Sequence, residues 1–232
     1  NIGIYLCEKR FGLYGRFGVD LFFYHYPICN NQLAKMMSRE INISDFYRIA
    51  YKINRYIPGS SRHIVTFPSI DRDINNLLES YEPILKFNTH EIEKGEAELE
   101  RILGDKNKKF VCLNVRDSAY LENNVKFGDK RRLQLGVESN NDWSYHNFRD
   151  SKIEDCISSI NYLNKKNYYV LRMGVIVKDD LQISNEKYIN YTKDYRTDFL
   201  DIFLTANCEF FLGSSSGINS ISMINKIPRA TI

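Results

Sequence analysis

Apolar and polar positions change their rhythm part-way along the chain. From residue 106 onward, short unbroken apolar runs alternate with stretches of helical period. Phe110-Val111-Cys112-Leu113-Asn114-Val115 reads as a continuous apolar strand, the pattern of a sheet covered on both faces. Ser151-Lys152-Ile153-Glu154 has capping-box spacing and opens a helix with Ile153, Cys156, Ile157, Ile160 and Leu163 inward. Strands follow at residues 168–173 and 188–191. Thr197 caps a helix that turns Phe199, Ile202, Phe203 and Ala206 inward. Cys208-Glu209-Phe210-Phe211-Leu212 is the next strand, then the turn Gly213-Ser214-Ser215-Ser216-Gly217, a helix to about residue 225 and a last strand from residue 227. Such an alternation predicts an open, parallel, Rossmann-like α/β sheet with helices on both faces.

The first 105 residues are less regular. Ile2-Gly3-Ile4-Tyr5-Leu6 reads as a strand, and residues 11–18 as a glycine-punctuated loop. Helices are expected over residues 30–39 and 44–54, the second with Phe46, Ile49, Ala50 and Ile53 on one apolar side. His63-Ile64-Val65-Thr66-Phe67 is β-rich, and residues 71–78 open a helix. Thr89 is the N-cap of a further helix with Ile92, Leu99, Ile102 and Leu103 inside and Gly104 at its end. The polar segment Gly104-Asp105-Lys106-Asn107-Lys108-Lys109 divides an incomplete α/β N-terminal half (1–105) from a C-terminal half (106–232). Because the chain starts on Asn1 and stops as a strand opens, it is expected to be an excerpt.

Composition adds exclusions. A net charge of +3 over 232 residues gives no basic stripe for nucleic acid. Five scattered cysteines without a CxxC pair suit reduced, core-filling thiols of a cytoplasmic protein. No apolar run approaches the ~20 residues that span a bilayer. GxxxxGK[ST] is missing, which disfavours a P-loop kinase. Cys112 precedes Arg116 by only four positions, so there is no CxxxxxR phosphatase loop.

The candidate chemistry gathers where the predicted strands end, which is where open α/β sheets bind ligands. Arg116 and Asp117 follow the first strand of the second half, Arg172 and Gly174 end the next, and Ser214, Ser215, Ser216 and Gly217 follow a third. Guanidinium groups match phosphate oxygens in a planar fork. A small-residue turn before a helix lets phosphate approach the backbone N–H groups. A phosphate-bearing ligand is the expectation. For a general base the sequence offers Asp117, Asp71 and Asp73. No cluster has metal-ligand spacing, and Asp71-Arg72-Asp73 reads as a solvated turn.

These residues also carry a family resemblance. Residues 109–121 (Lys-Phe-Val-Cys-Leu-Asn-Val-Arg-Asp-Ser-Ala-Tyr-Leu), Tyr145-His146-Asn147-Phe148-Arg149, Val170-Leu171-Arg172-Met173-Gly174, Asp198-Phe199-Leu200-Asp201 and Phe211 to Gly217 resemble a group of bacterial glycosyltransferases from surface-polysaccharide gene clusters. The likeness extends over most of residues 60–232 and part of 20–39. More distantly, Asn114-Val115-Arg116 and the serine cluster look like the donor half of GT-B fucosyltransferases. There a His-x-Arg motif grips the β-phosphate, and Asn114 stands here in the histidine's place. The resemblance implies a GT-B architecture: an acceptor-side N-terminal half and a nucleotide-sugar-binding C-terminal half. It implies transfer from a nucleoside-diphosphate sugar to a glycan or lipid-linked acceptor, with no cofactor or essential metal, in the cytoplasm or at the cytoplasmic face of the inner membrane. Arg116 and Asp117 are then the expected catalytic residues. Arg116, Arg172, Gly174, Ser214, Ser215, Ser216 and Gly217 are the expected donor-phosphate ligands. The alternative is a non-catalytic nucleotide- or sugar-binding module.

Overall fold

The computed structural model describes residues 2–13, 18–25, 28–65, 73–117, 119, 148, 150–178, 181 and 183–231. The chain forms two compact units, Asn1–Phe87 with Ile224–Lys226, and Asn88–Met223 with Ile227–Ile232.

In the first unit, helix α1 (Ile2–Phe11) occupies the segment whose opening reads as a strand. An isolated strand needs a partner for its backbone groups, whereas a helix satisfies its own. Tyr5, Leu6 and Cys7 are buried against Leu77 and Ile84. Two-residue strands β1 (Leu21–Phe22) and β2 (Asn42–Ile43) pair in parallel. Between them lies α2 (Asn31–Met37), capped by Asn30, whose side chain accepts the Leu33 N–H at 2.8 Å. Helix α3 (Tyr47–Asn54) follows. A 3-10 turn spans Ser60–His63, so His63 ends a turn instead of opening the expected strand; Thr66, Phe67, Asp71 and Arg72 lie outside the described residues. Asp73 accepts the N–H groups of Leu77 (2.8 Å) and Leu78 (2.7 Å), holding the first turn of α4 (Leu77–Ser80).

The second unit begins with α5 (Thr89–Leu103). Its N-cap is Asn88, one residue before the expected Thr89. The Asn88 side chain accepts the Glu91 N–H, and the Glu91 carboxylate accepts the Asn88 N–H. A full capping box outbids a lone threonine. Ile92 faces outward, while Leu99, Ile102 and Leu103 are buried. The helix therefore belongs to the second unit, and the units divide at Phe87/Asn88 and not in the charged segment that follows.

Five parallel strands follow: β3 (Phe110–Asn114), β4 (Tyr169–Arg172), β5 (Tyr188–Ile189), β6 (Phe210–Gly213) and β7 (Arg229–Thr231). Their order across the sheet is β5-β4-β3-β6-β7. Val111 and Leu113 alternate onto one face, where they pack with Ile153, Cys156, Ile160 and Leu163 of the segment leading into and forming α6 (Ile157–Lys165). The expected capping box at Ser151 does not form. A 3-10 turn over Ile153–Cys156 leads into the helix instead. After β5 comes a one-turn helix α7 (Tyr191–Asp194), then α8 (Asp198–Asn207), capped by Thr197 through the Leu200 N–H at 3.1 Å. Cys112, on the opposite face of β3 from Val111, lies beside Cys208 and near Asp201 of α8. A short helix α9 (Asn219–Ile224) joins β6 to β7. The sheet is thus parallel and flanked by helices, a Rossmann-like arrangement. Counted from β3, its order is 3-2-1-4-5, which places a topological switch point between β3 and β6.

Candidate functional site

At that switch point β3 and β6 end side by side, Asn114 opposite Gly213. The approach is close because Gly213 has no side chain: a Cβ there would sit 2.1 Å from the Asn114 carbonyl oxygen. The chain then knots itself across the gap. Ser214 N–H donates to Asn114 O at 2.9 Å, and Arg116 N–H donates to Ser214 Oγ at 3.3 Å. The buried Asn114 side chain is the strut between three strands. Its Nδ2 donates to Met173 O at 3.2 Å, past β4, and its Oδ1 accepts from Ser216 Oγ at 2.8 Å, past β6. An asparagine is suited to this position because it carries a donor and an acceptor on one planar group.

Of the predicted residues, Arg116, Ser214 and Ser216 are brought together around Asn114. Ser214 is buried, Ser216 half-buried, and Ser215 and Gly217 exposed at the tip of the turn. Arg116 Nε faces Asp150 Oδ1 at 3.4 Å, while Arg116 O accepts the Ser151 N–H at 2.9 Å. Asp150 and Ser151 are thereby pinned to the segment just past β3. Gly174 lies just past β4, with an added Cβ 3.0 Å from Val177 Cγ1.

Arg172 has a different environment from the one its strand-end position suggests. It pairs in register with Leu113, so its side chain turns to the α6 face, where it lies near Cys156. It is only 1% exposed and faces Asp117 at 4.0 Å. Asp117 is engaged on both oxygens. Oδ1 accepts from Ala119 N–H at 3.0 Å and Oδ2 from Lys178 N–H at 2.8 Å. Arg172 and Asp117 together staple the loops after β3 and β4. Ser118, Tyr145, His146, Asn147 and Arg149 lie outside the described residues.

A second polar cluster, at the end of β5, was not singled out from the sequence. The fully buried Tyr191 Oη donates to Asp201 Oδ1 at 2.8 Å, and Arg196 Nε and Nη2 reach Asp201 Oδ2 at 3.1 and 2.9 Å. Burial pushes the Asp201 carboxyl above its usual range, although Tyr191 and Arg196 pull it down. Burial, reinforced by Asp201, holds the Tyr191 phenol neutral far above the usual tyrosine range. The available signal was Arg196-Thr197-Asp198 with Asp201, an acidic first helical turn preceded by arginine. The cluster fastens α7 to the start of α8.

Among the described residues no group of three His, Cys, Asp or Glu side chains is placed to hold a metal ion. No described helix is long and apolar enough to cross a membrane. Four of the five cysteines are buried thiols, and Cys29 is exposed. Comparisons with protein families, curated proteins and solved structures return no match for this chain.

Proposed function

We propose that the switch-point residues bind the diphosphate of a nucleotide sugar, and that the second unit is the donor half of a GT-B-like glycosyltransferase. The acceptor is a glycan or a lipid-linked sugar of bacterial surface-polysaccharide synthesis. The reading rests on one observation above the others: Arg116 and the Ser214–Ser216 turn, 98 residues apart in sequence, are tied together at the carboxyl ends of β3 and β6. That is where doubly wound sheets hold nucleotides.

In this reading the exposed tip, Ser215 with Gly217, meets the phosphates, and Arg116 neutralises the leaving β-phosphate. Breaking the bond to the anomeric carbon leaves negative charge on that phosphate, so a fixed cation there stabilises the transition state more than the ground state. Asp150 holds the guanidinium until a diphosphate shares or replaces the contact. Arg172 takes a positioning role in place of direct phosphate contact, since it is enclosed beside Asp117. The work then needs neither cofactor nor metal, and the protein acts in the cytoplasm or at the cytoplasmic face of the inner membrane.

A binding module without catalysis is the second reading. It is favoured by Asp117, whose two oxygens already accept backbone N–H groups and which is poorly placed to take an acceptor proton. A thermal-shift panel of nucleoside diphosphates and their sugars tests the site, because a ligand bound only by the folded state raises the melting temperature. Arg116→Ala is expected to weaken the best ligand by about 10- to 100-fold, the loss of one charge-assisted contact. Full retention of binding in this variant refutes the site. Turnover of the bound sugar nucleotide, measured as release of nucleoside diphosphate, separates transferase from binding module.

A further inference from the structure

Helix α3 is mounted with its apolar side outward. Its inner side is made by Arg48 and Tyr51: the Arg48 guanidinium lies 4.8 Å from the Phe23 ring centre and donates to Tyr24 O, and the Tyr51 ring is 5.4 Å from that of Phe23. At 100° per residue, Phe46, Ile49, Ala50 and Ile53 fall on the opposite side. Phe46 is 69% exposed, Ile49 53% and Ile53 60%, and no residue of the helix is buried. Just past it, Tyr56 is 90% exposed and Ile57 also stands out. Isolated exposed apolar residues need no explanation, but a contiguous helical stripe does.

The charge beside the stripe says what it meets. Lys52, Arg55 and Arg62 are exposed on the helix and just past it, and from Phe46 to His63 there is no carboxylate; Asp45, just before, is paired with Arg48. The chain's positive excess lies in its first 87 residues, which hold 11 Lys and Arg against 8 Asp and Glu, whereas the remaining residues hold 21 of each. An amphipathic helix with isoleucine and phenylalanine on one side, tyrosine at its rim and lysine and arginine alongside matches the cross-section of an anionic membrane surface. There aliphatic groups enter the acyl boundary, tyrosine sits among headgroups, and the cations meet lipid phosphate. A protein partner of ordinary composition offers no comparable continuous negative charge around an apolar surface.

We propose that α3 and the turn after it, residues 46–57, form a docking surface for an anionic lipid bilayer, lying in the interface plane without crossing it. The inference is independent of the donor-site reading, since it concerns only the first unit. The experiment is co-sedimentation of the full chain with vesicles of phosphatidylcholine alone and of phosphatidylcholine with about one-third phosphatidylglycerol. Binding is expected to the anionic vesicles, weakened but not abolished near 0.5 M salt, about where charge attraction is largely screened. The double variant Ile49→Ser with Ile53→Ser is expected to lower partitioning at least about tenfold, because both side chains leave water on docking. Lys52→Glu with Arg55→Glu is expected to remove the preference for anionic lipid. These four side chains are exposed, so the variants should keep the wild-type melting temperature. Failure of the wild-type chain to sediment with anionic vesicles overturns the proposal. Unchanged partitioning of the isoleucine variant does so equally. So does a wild-type dimer in solution that the isoleucine variant converts to monomer without any vesicle binding, for the face would then be covered by a second copy.

Discussion

The strut at Asn114 gives a sharp test of how the candidate site is built. Ser216→Ala removes one hydroxyl donor and leaves Asn114 Oδ1 buried without its 2.8 Å partner. Leaving a buried acceptor unpaired costs about 1–2 kcal/mol. Asn114→Ala removes that bond and the 3.2 Å donation to Met173 O, whose residue is fully buried. The Ser216 hydroxyl is half-buried and can turn to water, but the Met173 carbonyl has no such exit. About 1 kcal/mol for each bond, with a further penalty for the orphaned carbonyl, gives about 2–3 kcal/mol for Asn114→Ala. The double variant should cost little more than Asn114→Ala alone, because Ser216 then has nothing left to lose. A cycle of urea unfolding curves followed by circular dichroism should therefore return a coupling of about 1 kcal/mol. Additivity within about 0.3 kcal/mol would show that the hydroxyl does not bridge to Asn114, and the strut argument would fall. In the thermal-shift assay, Asn114→Ala should also weaken diphosphate binding more than Ser215→Ala, since it frees the whole turn and not one exposed hydroxyl.

Three further outcomes are expected. Gly95→Ala in α5 should destabilise by up to about 2 kcal/mol: the new Cβ would sit 2.1–2.4 Å from three ring atoms of buried Phe203, and overpacking of about 1–3 kcal/mol outweighs the ~1 kcal/mol gained in helix propensity. A raised melting temperature refutes that ranking. Tyr191 stays neutral in the folded state well above the usual tyrosine range, so its contribution is complete below about pH 10. It should fall by up to about 1.4 kcal/mol per pH unit above that, because only the unfolded chain releases the proton; Tyr191→Phe should flatten this alkaline limb, and equal slopes for the two proteins count against it. Gly213→Ala, placing a Cβ 2.1 Å from Asn114 O, should prise β6 from β3 and abolish ligand-dependent thermal shifts at a temperature where the far-UV spectrum still shows a folded chain.

Much of the second unit was legible because its local signals agree with one another. The runs at 110–115, 168–173 and 208–212 are too short and too apolar for surface helices. Thr197 and Gly104 carry cap chemistry that needs no tertiary partner. The first unit was harder because its signals compete. The segment opening at Ile2 has both strand and helix character, and burial against Leu77 and Ile84 comes with the helix. His63 belongs to a turn following Gly59, whose φ of 77° reverses the chain just before the expected strand. Asn88 displaced Thr89 as a cap because a reciprocal bond with Glu91 was available one residue earlier.

The sequence by itself determined the parallel α/β character of residues 106–232 and the collection of Arg116 and the serine turn at strand ends, because strand length, apolar continuity and turn chemistry are local properties. Only the tertiary structure decided which strand ends are neighbours, and so that the switch point falls between Asn114 and Gly213. Strand order is fixed by crossovers, which leave no mark on local pattern. It also decided the fate of two residues read alike. Arg116 lies past the end of its strand and pairs with Asp150, whereas Arg172, in register with Leu113, is turned by the two-residue pleat into the α6 face beside Asp117. On α3 the same periodicity that predicted an apolar side could not say where it would point. The aromatic and cationic contacts of Phe23 with Arg48 and Tyr51 fix the helix by its other side, and so leave the apolar stripe facing water.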